Sequence, residues 1–347
     1  QIRRHHLAPG ITLQENRRGR TSHDRQPYLG VTVGDARFAF HLGWSGNHLV
    51  AVDTLDDGRR LVHLGALLVP GGTGLSRRVS YQSPGGYAAE DAAALQAFVR
   101  SEILTWPGSA MSPRPVTLNT WEGNYFDHRL DSLKAQADAA AALGIERFVL
   151  DDGWFGRRDD DTTSLGDWIV DRRKYPDGLK PLVDHVTALG MQFGIWFEPE
   201  MINEESDLYR AHPDWALKVD GRPFLRSRNQ QVLDLTRTEV SDHLFEKISA
   251  MLSSHAISYI KWDMNRDLTH VGGADGRAAT TAQTRAVHAL MARVRSAFPH
   301  VEIESCASGG GRTDYGALAN TQRVWTSDCT DALDRLTAHA VDVLAAE

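Results

Sequence analysis

The sequence predicts an α/β protein: a (β/α)8 TIM barrel, with seven strand-helix units present and the eighth missing, preceded by part of an antiparallel β-sandwich. Three observations predict it. Residues 1 to 110 are dense in short β-rich runs separated by turn residues. After Pro115 the rhythm becomes strand, polar loop, helix, repeated along the chain. Nearly every one of those later strands ends on a carboxylate or a tryptophan, and strand ends are where a barrel carries its functional residues.

In order, the runs 29–33, 36–44 and 48–53 are rich in β-branched and aromatic residues, and 37–41 alternates in side-chain type. Gly71, Gly72, Pro84, Gly85 and Gly86 punctuate as loop tips. A helical pattern at 91–104 and a linker at 106–115 place the boundary: 1–110 is a partial sandwich domain with a connecting helix, and 111–347 is the barrel. The expected barrel strands are 116–120, 147–150, 192–196, 232–235, 258–262, 301–305 and 323–327. Leu130, Leu133, Ala137 and Ala141 mark the first helix, and Leu333, Leu336, Ala340 and Leu344 the last, each at helical spacing. A doubly wound open sheet would want a glycine-rich phosphate loop after its first strand, and this sequence has none. The chain opens on Gln1 and stops within the seventh helix, so a fragment is expected, with the first and seventh strands as open edges.

At 347 residues, 41% hydrophobic and 24% charged, the composition is that of a globular protein, and a net charge of -7 argues against nucleic acid as a partner. Cys306 and Cys329 are the only cysteines, which indicates no disulfide framework and favours the cytoplasm. Neither a secretory signal nor a membrane-spanning run is visible. Nine tryptophans is a high count, and several lie beside carboxylates, as in sites that hold sugar rings.

The chemistry centres on residues 258–266. Strand alternation puts Lys261, Asp263 and Asn265 on one face, where three polar groups are costly to desolvate without a function. The other strand ends add Trp121 and Glu122, Asp151 and Asp152, Trp196, Glu198 and Glu200, Cys306 to Gly309, and Trp325 to Asp328, with Arg226 and Arg228 before the fourth strand. Aromatic walls and acids suit a carbohydrate, and glycosidic cleavage needs one ionised and one protonated carboxyl group. Lys261 favours ionised Asp263, the expected nucleophile. Asp328, in a less basic setting near another carboxylate, suits the acid. Plainer roles weigh against several neighbours. Asp151 and Asp152 lack further ligands at metal spacing, so no metal or cofactor is expected. Cys306 has no partnered histidine and reads as a small wall residue, and Gly309 as a place of close backbone approach. Glu198 and Glu200 are expected to orient Lys261 or the arginines, and residues 159–161 to form a solvated loop.

Six ordered motifs then carry a resemblance: W-S-G-N at 44–47, L-D-D-G-W at 150–154, G-I-W-F-E-P-E-M at 194–201, Y-I-K-W-D-M-N-R at 259–266, C-A-S-G-G-G-R at 306–312 and W-T-S-D at 325–328. In these the chain resembles glycoside hydrolase family 36, the retaining α-galactosidases. The resemblance implies hydrolysis of terminal α-D-galactose from melibiose- and raffinose-type sugars, with Asp263 as nucleophile and Asp328 as acid/base. It implies that Asp151, Asp152 and Lys261 bind galactose hydroxyls, with Trp121, Trp196, Arg228, Asn265, Cys306, Gly309 and Trp325 completing the pocket. It also implies a homo-tetrameric full-length protein. The departure is in extent, since family members have a larger N-terminal sandwich, an eighth strand and a C-terminal β domain. The alternatives are galactosyl transfer of the raffinose-synthase type and a non-catalytic sugar-binding module.

Overall fold

The computed structural model describes residues 6–21, 25–67, 86–269, 271–273, 276 and 278–334. Six strands come first: β1 (Gly10–Asn16), β2 (Tyr28–Val33), β3 (Ala36–Leu42), β4 (His48–Thr54), β5 (Arg60–Ala66) and β6 (Gly86–Ala89). They form two three-stranded antiparallel sheets, β1-β4-β5 and β2-β3-β6, in keeping with the alternating runs. Gly34 adopts φ 58° in the two-residue β2–β3 turn, a left-handed conformation that glycine takes freely. The loop tips expected at Gly71, Gly72, Pro84 and Gly85 lie outside the described residues, whereas Gly86 opens β6 rather than forming a tip. Helix α1 (Ala92–Phe98) is capped by Asp91, whose carboxylate accepts from the Ala94 N–H at 2.8 Å. The helix continues as a wider turn over Val99–Ile103.

The second part adds β7 (Thr117–Asn119), α2 (Trp121–Asn124), α3 (Leu130–Ala142), β8 (Arg147–Leu150), α4 (Lys180–Ala188), β9 (Gln192–Phe197), β10 (Met201–Ile202), α5 (Asp207–Ala211), β11 (Gln231–Val232), α6 (Thr238–Ser254), β12 (Tyr259–Trp262), α7 (Thr280–Ala297), β13 (Glu302–Ser305), α8 (Tyr315–Leu318) and β14 (Arg323–Val324). Six of these strands make one parallel sheet in the order β7-β8-β9-β12-β13-β14. The architecture is a partial TIM barrel after a β-sandwich region.

The strand expected at 232–235 is a correction. Its first residue pairs antiparallel with β10, the Leu233 and Asp234 N–H groups donate to Glu200 O and Trp215 O, and β12 pairs directly with β9. All four residues of the run are buried, but its backbone bonds go to a loop, leaving six strands where seven were expected. The first and seventh expected strands, β7 and β14, are the two ends of the sheet among the described residues. Of the expected last helix, Leu336, Ala340 and Leu344 lie outside the described residues.

The main core lies between sheet and helices. Phe148, Phe193, Ile195, Ile260 and Ile303 from the strands meet Leu133, Leu182, Leu244 and Leu290 from α3, α4, α6 and α7. The opposite strand faces carry Arg147, Tyr259, Lys261, Glu302, Glu304 and Arg323, all buried, with Glu302 paired to both arginines. The two parts meet at a seam. There Asp314, the N-cap of α8, accepts from Thr21 Oγ1, Ser45 Oγ and the Ala317 N–H. His41 stacks on Tyr315 at 3.6 Å, and His288 contacts Ser45 Oγ through Nε2 at 3.1 Å. Burial holds His41 and His288 neutral, each lowered to about 4 against the opposing Asp314 charge.

Candidate active site

Parallel strands deliver their C-terminal ends to one side, and the polar residues that follow them converge there. Asp263, the residue after β12, is buried, and every donor around it is directed. Its Oδ2 accepts from Trp196 Nε1 at 3.1 Å and Asn265 Nδ2 at 2.7 Å; its Oδ1 accepts from the Met264 N–H at 2.8 Å and the Ser308 N–H at 3.4 Å. Burial pushes this carboxyl upward, but the Lys261 charge and the hydrogen bonds from Cys306, Asn265 and Trp196 outweigh it and hold it below the usual carboxylate range.

Trp196 is held from behind by an aromatic group. Trp154 Nε1 donates to its carbonyl at 3.0 Å, and the Phe155 ring lies parallel to its indole with centroids 6.2 Å apart. Lys261 Nζ donates to Asp151 Oδ2 at 2.9 Å and stands 5.3 Å from the Trp325 ring centre. Although burial opposes it, Asp151 keeps this ammonium charged, above the ordinary lysine value. Asp152 is engaged by Arg158 in a two-pronged pair of 2.9 and 2.8 Å. Burial outweighs that pair and raises the Asp152 carboxyl.

Arg228, in a left-handed conformation at φ 53°, donates to Asn265 Oδ1 at 2.7 Å, and Ser308 Oγ joins it at 3.1 Å. The Cys306 thiol is pushed far up by burial and the Asp263 charge, so it stays protonated and donates. Gly309, at φ 80°, leaves no room for a side chain: a Cβ there would stand 3.1 Å from the Asp328 N–H nitrogen. Asp328 is open to solvent, and Trp325 Nε1 donates to it at 2.8 Å. Partial burial of its carboxyl and the Asp263 charge push it above the usual range, Lys261 pulling the other way. Trp121 stands at the start of α2, edge-on to Tyr125 and Phe126. The two carboxyl groups, Asp263 and Asp328, are therefore displaced in opposite directions.

All twelve residues singled out from the sequence sit at strand ends or the loops after them, though Arg228 reaches the mouth from a loop rather than from a barrel strand. Glu198 does not take the partners expected of it, whereas Glu200 holds an arginine. Glu198 accepts from the Asn265 N–H and from Gln230 Nε2 at 2.8 Å, and not from Lys261. Burial and the Asp263 charge raise it to about 8. Glu200 accepts from Arg312 Nη1 at 2.7 Å and Trp262 Nε1 at 3.2 Å. Sequence reasoning missed Arg158, hidden beside an acidic run, and gave no role to Asn119 at the end of the first barrel strand, whose amide donates to Asp151. Polarity at the end of β7 was the available signal for Asn119. No group of three or more potential metal ligands occurs among the described residues. Likewise no described helix is long and apolar enough to cross a membrane.

This fold is shared with known proteins. The Melibiase family model matches residues 86–344, and the model of the glycosyl hydrolase family 36 N-terminal domain matches residues 1–75. The chain belongs to the Melibiase family, glycosyl hydrolase family 36. It is 47% identical over 350 residues to an alpha-galactosidase of Escherichia coli, covering 97% of this chain and 49% of that one. With alpha-galactosidase AgaA of Geobacillus stearothermophilus it shares 40% over 359 residues, 96% of this chain and 48% of the other. The crystal structure of an AgaA variant in complex with stachyose superposes with a TM-score of 0.89 at 37% identity, over 98% of this chain and 50% of that one. An alpha-galactosidase from Lactobacillus brevis gives 0.91 at 38%, over 99% and 49%. The chain spans about half the length of the curated relatives it matches.

Proposed function

We propose that this chain carries the catalytic centre of a retaining α-galactosidase that removes terminal α-D-galactose from melibiose- and raffinose-type sugars. The observation that carries the reading is the opposite displacement of two carboxyl groups at one barrel mouth, Asp263 held down and Asp328 pushed up. Asp263, ionised and fixed by five donors including the Cys306 thiol, attacks the anomeric carbon. Asp328 gives its proton to the departing glycosidic oxygen, leaving a covalent galactosyl-enzyme. Asp328, now ionised, takes a proton from water, whose oxygen attacks the same carbon and frees Asp263. Two inversions restore the starting configuration.

In this reading Asp151, Asp152 and Lys261 hold galactose hydroxyls, with Trp121, Trp196, Arg228, Asn265, Cys306, Gly309 and Trp325 as the remaining pocket. Variants of AgaA have been crystallised with raffinose and with stachyose, which supports this substrate class. We further propose a division near residue 110 between sandwich and barrel, a cytoplasmic location in keeping with the free Cys306 and Cys329, and a tetramer for the whole protein. The test is proton NMR of the hydrolysis of an aryl α-galactoside by the whole protein. The α-anomer of galactose should appear first, and β-galactose as first product refutes retention.

A further inference from the structure

The loop after β12 is irregular, yet it must keep Asn265 on the Asp263 carboxylate. Its backbone is held by groups far away in the chain. The peptide linking Met264 to Asn265 is gripped at both ends: its N–H donates to Glu198, and its C=O accepts from Arg20 Nη1 at 2.7 Å. Arg20 belongs to the segment between β1 and β2, more than two hundred residues earlier, and it is buried. Its Nε also donates to Asp267 Oδ1 at 3.1 Å, and Arg18 Nη1 reaches Asp267 Oδ2 at 3.1 Å. The Leu268 N–H donates to Arg18 O at 2.8 Å. Gly19, at φ 75°, lies so close to Leu268 that a Cβ there would fall 2.3 Å from the leucine Cβ. The Gly19 N–H donates to Asn47 Oδ1 at 2.6 Å, at the end of the W-S-G-N run, so β4 anchors the segment in turn.

From this geometry we infer that Arg20 is a positioning residue for the nucleophile: the sandwich region fixes the Met264–Asn265 peptide plane, and through it the Asn265 amide on Asp263. The inference rests on the proposed glycosidase reading, in which Asp263 attacks. If Arg20 let go, that peptide could rotate, and the 2.7 Å Asn265–Asp263 bond would lose its fixed direction. A displacement of about 1 Å at a reacting group costs up to about a hundredfold in rate.

The test is kinetics of Arg20→Lys and Arg20→Met in the whole protein, beside wild type and Asp263→Ala, on an aryl α-galactoside. Lysine keeps the positive charge but cannot hold Met264 O and Asp267 together with one guanidinium fork. Both variants should therefore lose kcat by about ten- to a hundredfold, with KM moving far less. A merely structural Arg20 would lower the unfolding midpoint and leave kcat of the folded fraction at the wild-type value. That result, or an Arg20→Lys enzyme with wild-type kcat, overturns the inference. Wild type that turns over while Asp263→Ala does not preserves the glycosidase reading whatever Arg20 does. An inactive wild type removes both.

Discussion

Replacing Lys261 by methionine keeps length and volume and removes one buried charge, so its effects can be worked from the surroundings. Lys261 and Asp151 form a 2.9 Å pair with side chains 7% and 4% exposed. Removing one partner of such a pair costs about 3–5 kcal/mol. The Asn119 amide remains on Asp151, which places the loss at the lower end. The thermal midpoint should fall by on the order of 10 °C. If Lys261 also donates to a sugar hydroxyl, the lost charged hydrogen bond is worth about 1.5–3 kcal/mol, or about 10- to 150-fold in kcat/KM. The sharper readout is the pH profile. Lys261 lowers both Asp263 and Asp328, so its removal raises both. The proposed mechanism needs Asp263 ionised and Asp328 protonated, so the acid limb and the alkaline limb should both move to higher pH. Stopped assays from acid to alkaline pH on an aryl α-galactoside measure this. A bell that stays in place, or moves toward acid, refutes the electrostatic assignment of Lys261.

Asp263→Ala should lose turnover by several powers of ten, about what removal of a nucleophile does elsewhere, and azide should restore it with an inverted product, read by NMR. Asp328→Ala should damage substrates with poor leaving groups most, so raffinose hydrolysis should fall far more than the first step on an activated aryl galactoside; equal losses would point to a binding role. Gly194→Ala should destabilise by about 1–3 kcal/mol in a denaturant melt, because its Cβ would meet Tyr259 Cδ1 at 2.6 Å inside the sheet.

What the sequence made legible follows from which forces are local. Strands β8 and β12 were plain because runs such as 148–150 are apolar, short and bounded by turns. The 232–235 run has the same local character, yet its hydrogen bonds go to Glu200 and Trp215, and apolar pattern carries no record of partners. The mouth was legible for a similar reason. Carboxylates and tryptophans at strand ends are costly unless used, so Asp151, Asp263 and Asp328 stood out individually. Arg158 did not, because an arginine next to Asp159, Asp160 and Asp161 looks like solvated surface until it is seen turned inward on Asp152. Arg20 lies more distant still: nothing near position 20 signals that its partner is the Met264 carbonyl.

The seam around Asp314 bears on how any acid limb of activity is interpreted. His41 and His288 are held neutral near 4, well under the ordinary histidine value of about 6.5. The unfolded chain therefore takes up protons there before the folded one does, and the stability they confer is full above about pH 6.5 and drains away toward pH 4. Over this interval the seam between sheets and barrel weakens, and the Arg20 segment, tied through Thr21 to Asp314, goes with it. Falling activity in mild acid would then imitate the protonation of a catalytic carboxylate while reporting the parting of two layers. Time separates them: protonation of Asp263 reverses as fast as buffer mixes, whereas a seam that has come apart must find its partner again.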